Sequence, residues 1–337
     1  MGQLGLGMIG CGTMGQSLTK SAADLNCARV VCVSDVDEEK GRELAEAVGS
    51  DFEPDYVQML NREDVQAVMI ATPPFLHIEP AVAAAEAGVH VFSEKPMAPT
   101  LAGCDEMIEA TRSHGVRLGV GLVCRFHPVH QKVRDLAQGG ELGTPTCLMA
   151  HRLGGGWGGV WDVPWRQLRE KSGGTLMELN AHEVDFMRFV MGDVESVYAV
   201  GGQYVQKDCD FPDIAVVSLR FQNGGVGMLH SSNASAIGGY GGRLDCTEGS
   251  AVFPYFWGQE GAVRYKHYEG EEMRLTHQEL AIEESPVHQE IRAFCEAILE
   301  GAEPPVSGVD GRAATEIALA AYRSIETGES VNLPFVE

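Results

Sequence analysis

Leu4-Gly5-Leu6-Gly7-Met8-Ile9-Gly10-Cys11-Gly12-Thr13-Met14-Gly15 is the stretch that decides the fold. Its first six residues form a short apolar run that reads as a buried strand, and the glycines after it fit G-x-G-x-x-G. That pattern alone is cheap in a chain with 41 glycines. Its setting gives it weight. It follows a strand, opens a helix reaching about Ala23, and precedes a second apolar strand, Ala28–Ser34, that ends at Asp35. In such a unit Gly12 lets the backbone approach a pyrophosphate, the helix N-terminus offers free N–H groups, and the Asp35 carboxylate accepts from ribose hydroxyls. A dinucleotide is therefore expected, with Gly10, Gly12, Thr13, Met14, Gly15 and Asp35 as its contacts. A 2′-phosphate at ~4 Å from Asp35 would meet roughly 4 kcal/mol of repulsion at an effective dielectric of ~20. Arg42, seven residues on, is not placed to offset it. NAD is expected over NADP.

Outward from this start the alternation continues. Asp37–Val48 has helical spacing, Val65–Ala71 is a buried strand stopped by Pro73-Pro74, and Leu76–Ala87 is a helix closed by Gly88. Val89–Ser93, Thr100–His114 and Val116–Val120 repeat strand, helix and strand. This order predicts a doubly wound parallel sheet over residues 1–122. After Gly121 the rhythm changes. Pro128–Gln138 and Thr175–Val190 read as helices, with a Gly- and Trp-rich loop, Gly154–Trp165, between them. Val194–Val205, Ile214–Phe221, Val226–Ala234 and Arg243–Phe253 read as strands joined by turns such as Asn223-Gly224-Gly225. Val287–Leu299 and Gly308–Ile325 are late helices. Residues 123–337 are thus expected to form an α+β domain, with the late helices free to pack back on the first. Ile214–Phe221 and Val194–Val205 carry apolar residues on both alternating faces, so a second subunit is expected to cover one of them.

Composition narrows the class. The chain has 337 residues, 44% apolar and 22% charged, with 48 acidic against 25 basic side chains and a formal charge of −23. That balance disfavours nucleic acid and anionic membrane as partners. The nine cysteines are odd in number, scattered and without a C-x-x-C pair, so they read as reduced thiols rather than a disulfide frame or zinc site. No secretory signal and no membrane span is expected, and the cytoplasm is the expected compartment.

Three further groups carry chemistry. Glu94-Lys95-Pro96 directly follows a strand of the parallel sheet, at the carboxyl end where such sheets bind ligands. There the Lys95 ammonium would polarise a carbinol or carbonyl oxygen beside a nicotinamide. Glu178, His182 and Asp185 are spaced i, i+4 and i+7 and are expected on one helical face. Carboxylate and imidazole are also metal ligands, but there is no H-E-x-x-H and no second nearby histidine, so no metal is expected. Trp157, Trp161 and Trp165 either pin the long loop or stack on sugar C–H faces. Arg125, Arg152 and Arg166 either bind a carboxylate or phosphate or pair with the many acidic side chains.

Together these residues resemble the glucose–fructose oxidoreductase / inositol dehydrogenase / MocA (Gfo/Idh/MocA) family along essentially the whole chain. The resemblance rests on Gly10–Gly15, Asp35, Ala71-Thr72-Pro73-Pro74-Phe75-Leu76-His77 and Gly88 through Pro96. It continues in Arg125-Phe126-His127-Pro128, Gly140-Glu141-Leu142-Gly143, Trp165-Arg166 and Ser172 through Asp185. It implies an N-terminal Rossmann domain and a C-terminal α+β domain with a large open, mainly antiparallel sheet, commonly used to form dimers or tetramers. It implies that Lys95 and His182 are catalytic with Glu178, and that the Lys95–Pro96 bond is a candidate for cis. It adds Thr72, Pro73, His77, Glu94, Lys95, Trp165 and Arg166 to the cofactor contacts, and Arg125, Trp161 and Asn180 to the substrate contacts. The family usually has Asp where this chain has Glu178, and Gly where it has Asn180; Asn180 is a candidate for an added polar contact to substrate. The implied activity is hydride transfer between NAD and a carbinol or carbonyl of a sugar, inositol or related polyol. His182 would be the general base, and Lys95 would hold the oxygen in a cleft between the domains. Two other readings stand beside it. One is a glycoside hydrolase using tightly held NAD for transient oxidation, elimination and re-reduction; the other is a non-catalytic cofactor-sensing regulator.

Overall fold

The computed structural model describes residues 2–254, 263–276, 278–280 and 284–336. They divide into two compact units: Met1–Leu122 with Glu284–Arg312, and Val123–Glu283 with Ala313–Glu337.

The first unit opens with β1 (Leu4–Ile9), α1 (Thr13–Ala23), β2 (Ala28–Ser34), α2 (Glu38–Val48), β3 (Asp51–Phe52), α3 (Tyr56–Leu60) and β4 (Ala67–Ile70). It continues with α4 (Ile78–Glu86), β5 (His90–Ser93), α5 (Leu101–Ser113) and β6 (Leu118–Val120). The strands pair in parallel in the order β3-β2-β1-β4-β5-β6. Every residue of β1 and β4 is buried, which is why their sequences show no polar alternation. The chain winds one way from β1 to β3 and the other way from β4 to β6, so the switch point lies between β1 and β4, where open α/β sheets bind ligands. β3 and α3 are too short to leave a periodic signal and are absent from the sequence reading.

The second unit contains α6 (Pro128–Gln138), β7 (Pro145–Leu153), α7 (Arg169–Ser172), α8 (Thr175–Glu178) and α9 (Ala181–Met191). Seven strands follow: β8 (Val194–Gly202), β9 (Ile214–Phe221), β10 (Val226–Ser232), β11 (Gly239–Cys246), β12 (Gly249–Phe253), β13 (Val263–His267) and β14 (Met273–Leu275). α10 (Pro286–Glu300), α11 (Gly308–Thr327) and β15 (Val331–Asn332) complete the chain. α10 belongs to the first unit, where Ile291, Phe294 and Cys295 enter the core with Leu4, Leu6 and Leu18. Phe294 meets Phe92 edge-on at 5.4 Å.

The second unit's sheet runs β14-β13-β12-β11-β7-β10-β9-β8-β15, antiparallel except for the parallel pair β7–β10. Two sequence expectations need correction. Arg243–Phe253 is not one strand but the end of β11, a turn at Thr247-Glu248, and β12. Thr175–Val190 is not one helix, because α8 ends at Glu178 and Asn180 (φ −93°, ψ 4°) leaves the helical region before α9 begins. β7 escaped the reading, since His151 and Arg152 interrupt its apolar run. The Asn223-Gly224-Gly225 turn does join β9 to β10, with Gly224 at φ +87° and the Asn223 side chain accepting from the Gly225 N–H at 2.8 Å.

α6 and α9 cover one face of the sheet, where Val133, Leu136, Phe186 and Met187 pack with Val217, Leu219 and Phe221. On β8 the alternate positions Tyr198 and Val200 are 43% and 52% exposed. The buried Asp213 holds the connection after β8 by accepting from the N–H groups of Tyr204, Val205 and Gln206. Burial pushes its pKa up, but these donors outweigh that and leave the carboxyl below its ordinary range. All nine cysteines are free and seven are buried; burial raises Cys11 to about 12 and Cys32 to about 11, so both are protonated thiols at neutral pH. No helix among the described residues is long and apolar enough to cross a membrane.

Candidate functional site

The glycines after β1 do three separate jobs. Gly10 has φ +96°, and a Cβ there would come within 2.9 Å of the Thr72 nitrogen. A Cβ at Gly15 would lie 1.8 Å from the Gly10 carbonyl oxygen, so α1 reaches the end of β1 only because Gly15 has none. Gly12 is different: a Cβ there meets no protein atom within 4 Å. Gly12 caps α1 without a side-chain hydrogen bond, and the first turn carries no acidic residue. The first N–H groups of α1, with the positive end of its dipole, are left for an anion.

Asp35 follows β2 and is half-buried. Its carboxylate accepts from the N–H of Cys11 at 2.6 Å and of Asp37 at 2.8 Å, which fixes it beside the glycine turn with lone pairs still free for a ligand's hydroxyls. The cations downstream are committed elsewhere. Lys40 pairs with Asp37 at 2.6 Å, and Arg42 pairs with Glu38 at 3.0 Å and lies over the Phe52 ring. An open backbone cradle with a fixed carboxylate beside it fits the pyrophosphate and ribose of NAD.

Beyond β4 and β5 the chain brings Thr72, Pro73, His77, Glu94 and Lys95 to the carboxyl ends of the same sheet. His77 is 1% exposed. Its Nε2 lies 2.7 Å from the Thr72 carbonyl and its Nδ1 3.0 Å from that of Pro96. The ring thus ties the segment after β4 to the segment after β5. Glu94 is 7% exposed and accepts from the backbone N–H of Lys95 at 3.0 Å. The Lys95–Pro96 peptide bond is cis.

In the second unit the break between α8 and α9 separates side chains that the sequence places on one helical face. Glu178 closes α8 and pairs with Arg166 at 3.0 Å. His182 lies in the first turn of α9 and is 9% exposed. Asp185 is fully buried and holds Arg125 by two bonds, at 2.9 and 2.6 Å. Arg125, expected to meet substrate, is thereby bound to a carboxylate of its own unit. Asn180, expected at the substrate, is fully buried, donates to Glu183 at 2.6 Å, and accepts from the Ser231 hydroxyl. Glu183 also accepts from Tyr240 and pairs with Arg152 at 3.4 Å, and Arg152 donates to the Leu179 carbonyl at 2.7 Å. Burial beside Glu183 pushes the Tyr240 hydroxyl well above its ordinary pKa. Sequence reading missed this network, because Glu183 in a helical first turn looks like an ordinary solvated acid. Trp157, Trp161 and Trp165 gather round Arg166, with its guanidinium carbon 5.5, 4.9 and 4.3 Å from their ring centres. Arg166 and Trp165, expected at the cofactor, are thus part of this cluster. Among the described residues no group of three or more His, Cys, Asp or Glu is placed to hold a metal ion.

Comparison with known proteins agrees with this geometry. Residues 4–122 match the family model described as oxidoreductase family, NAD-binding Rossmann fold, and residues 130–252 match the GFO/IDH/MocA C-terminal domain. The chain is 30% identical over 344 residues to a myo-inositol 2-dehydrogenase of Thermotoga maritima, covering 97% of this chain and 98% of that one. It is 35% identical over 239 residues to a 2,7-anhydro-N-acetylneuraminate hydratase of Mediterraneibacter gnavus, covering 69% and 63%. A solved levoglucosan dehydrogenase in complex with NADH and L-sorbose superposes with a TM-score of 0.88 at 25% identity, over 100% of both chains.

The position of Asp35 generates a test of cofactor choice. Asp35→Ser should narrow the preference for NADH over NADPH by on the order of 100-fold, which takes up about 2.8 of the roughly 4 kcal/mol of carboxylate–phosphate repulsion. Fluorescence titration with the two reduced cofactors measures it. Equal binding of both by the unmodified protein would contradict the role given to Asp35.

Proposed function

Because the chain belongs to the Gfo/Idh/MocA family of NAD-binding oxidoreductases, we propose that Lys95 and His182 carry its chemistry on a carbinol or carbonyl of a sugar, inositol or related polyol. The observation that carries this reading is the opening at Gly12, at the head of α1 and beside the fixed Asp35 carboxylate. NAD, when bound, supplies the hydride acceptor, and NADH the donor in the reverse direction. The protein's own part is proton and charge management. In oxidation the His182 imidazole takes the hydroxyl proton as general base. The Lys95 ammonium donates to the same oxygen and stabilises the negative charge that develops on it. In reduction His182 returns the proton. Glu178 acts through its pair with Arg166 and is a positioning residue in this scheme.

The second reading is a glycoside hydrolase that uses NAD for transient oxidation and elimination without consuming it; that one relative is named a hydratase and not a dehydrogenase lends it slight support. Substrate conversion without net NADH, by a protein purified with its cofactor, would select that reading. Nine free thiols favour a reducing compartment, the cytoplasm.

We also propose a homodimer or homotetramer formed through the sheet of the second unit. Tyr198 and Val200 are exposed there, with Ile214 and Val216 half-buried on the next strand. A monomeric mass by light scattering at micromolar concentration would count against it.

A polyol, aldose and sugar-acid panel with NAD, read at the reduced-nicotinamide absorbance, tests the activity. With the best substrate, Lys95→Met should lose ~10²–10³ in turnover, and His182→Ala a comparable ~10²–10⁴. The double variant should be far less impaired than the product of the two losses, since both residues serve one proton and one oxygen. NADH affinity of His182→Ala should stay near that of the unmodified protein. Either single variant keeping more than about a tenth of turnover, where chemistry limits the rate, would remove that residue from the mechanism.

A further inference from the structure

We propose that Cys27 and Cys295 form an oxidisable thiol pair in the first unit. The pair takes a low-molecular-weight disulfide as oxidant and closes to a reversible cross-link between the turn before β2 and α10. This site is independent of the reaction catalysed at the cofactor.

Position is the first support. Cys27 lies in the turn between α1 and β2, and its carbonyl accepts from the Leu4 N–H at 2.8 Å, which fixes that turn against the start of β1. Cys295 lies on α10 in the core that holds Leu4, Leu18, Leu25 and Ala28, and Cys27 packs against the same core. The two thiols share a hydrogen bond. Sulfurs already in contact are the starting geometry from which a disulfide closes without a large backbone movement. α10 reaches this core only after the chain has passed through the second unit, and packing such as Phe294 on Phe92 holds it there. A covalent link at Cys295 would close a long loop and restrict the unfolded chain. Cys27 precedes β2 whereas Asp35 follows it, and Cys27 follows α1 whereas Gly12 precedes it. The pair therefore sits at the ends of those elements opposite the cofactor cradle, where a cross-link stabilises the unit and leaves the cradle open.

Accessibility sets the order of events. Cys27 is half-buried and Cys295 fully buried, so the oxidant meets Cys27 first. The Cys27 thiolate attacks one sulfur of the small disulfide, forming a mixed disulfide and releasing one small thiolate, which takes up the proton that Cys27 lost. Cys295 then loses its proton and attacks the Cys27 sulfur, and the second small thiol leaves with that proton. Two protein thiols are oxidised, one small disulfide is reduced to two thiols, and no further reactant is needed. Burial, together with the Glu296 carboxylate, holds both thiols above their ordinary pKa. Thiolate is then scarce at neutral pH and the exchange is slow, so the pair follows a sustained redox poise rather than a brief pulse of oxidant.

The test equilibrates the full chain in glutathione buffers from fully reduced to about tenfold more glutathione disulfide than glutathione. Samples are quenched in acid, the remaining thiols are alkylated in denaturant, and the peptides are mapped by mass spectrometry. In the oxidised buffer a Cys27–Cys295 linked peptide should replace the two alkylated ones. The unfolding temperature should rise by about 5 °C or more and return to its starting value with dithiothreitol. NADH affinity should stay within about twofold across the series. Cys27→Ser and Cys295→Ala should each abolish the rise, and Cys27→Ser, at the half-buried position, does so with the core side chains intact. No linked peptide, glutathione retained on Cys27 with Cys295 still alkylated, linkage of either residue to another cysteine, or a linked peptide without a rise in unfolding temperature would each overturn the proposal.

Discussion

A missing methyl group at Gly15 sets much of the first unit's geometry. The Gly10 carbonyl stands where that group would be, and this close approach lets α1 begin immediately beyond the end of β1. Once it begins there, its first N–H groups have no helical partners and face the switch point of the sheet. Asp35 then has a place to anchor, because the Cys11 N–H in the same turn donates to it. The cofactor cradle follows from the backbone path, and few side chains are needed to make it.

That is also why this part was legible in the sequence. The glycine spacing, the buried strands and Asp35 lie within 32 residues, from Leu4 to Asp35, and each reports a local backbone requirement. Lys95 was legible by position, since a strand exit in a parallel sheet is where ligands bind. The second unit was harder. Its helices α6 and α9 and the β9–β10 hairpin carry local signals, but β7 is held by β10 and β11, strands distant in sequence, and its own residues do not alternate cleanly. The break at Leu179-Asn180 was hidden, because neither residue is a helix breaker. Asn180 is drawn out by bonds to Glu183 and Ser231, the latter 51 residues away.

Partner choice among the charged residues was the least legible feature. Sequence leaves Arg125, Arg152 and Arg166 equally able to bind an anion or to pair internally. The structure gives each of the three a carboxylate partner, Asp185, Glu183 and Glu178, at separations of 60, 31 and 12 residues. Such pairs add little net stability when compared with apolar residues of the same shape, but losing one partner leaves a buried charge and is costly. They fix geometry: α8, α9 and the tryptophan loop are tied by directional bonds rather than by apolar packing alone. The same logic appears in the first unit, where His77 ties two strand exits through their carbonyls. In both units the polar groups expected to touch ligand are partly engaged in holding the backbone that will.

The central claim is that the space beside Gly12 is a ligand's space and not the protein's. Calorimetric titration of NADH into the unmodified protein and into Gly12→Val measures it directly. A Cβ at residue 12 meets no atom within 4 Å beyond its chain neighbours, and its φ of −69° suits any residue, so folding should change by about the N-cap preference, about 1 kcal/mol. The account predicts tight binding by the unmodified protein and a loss on the order of 100-fold or more in Gly12→Val, with the cofactor-free unfolding temperature nearly unchanged. Equal NADH affinity in the two proteins would contradict it.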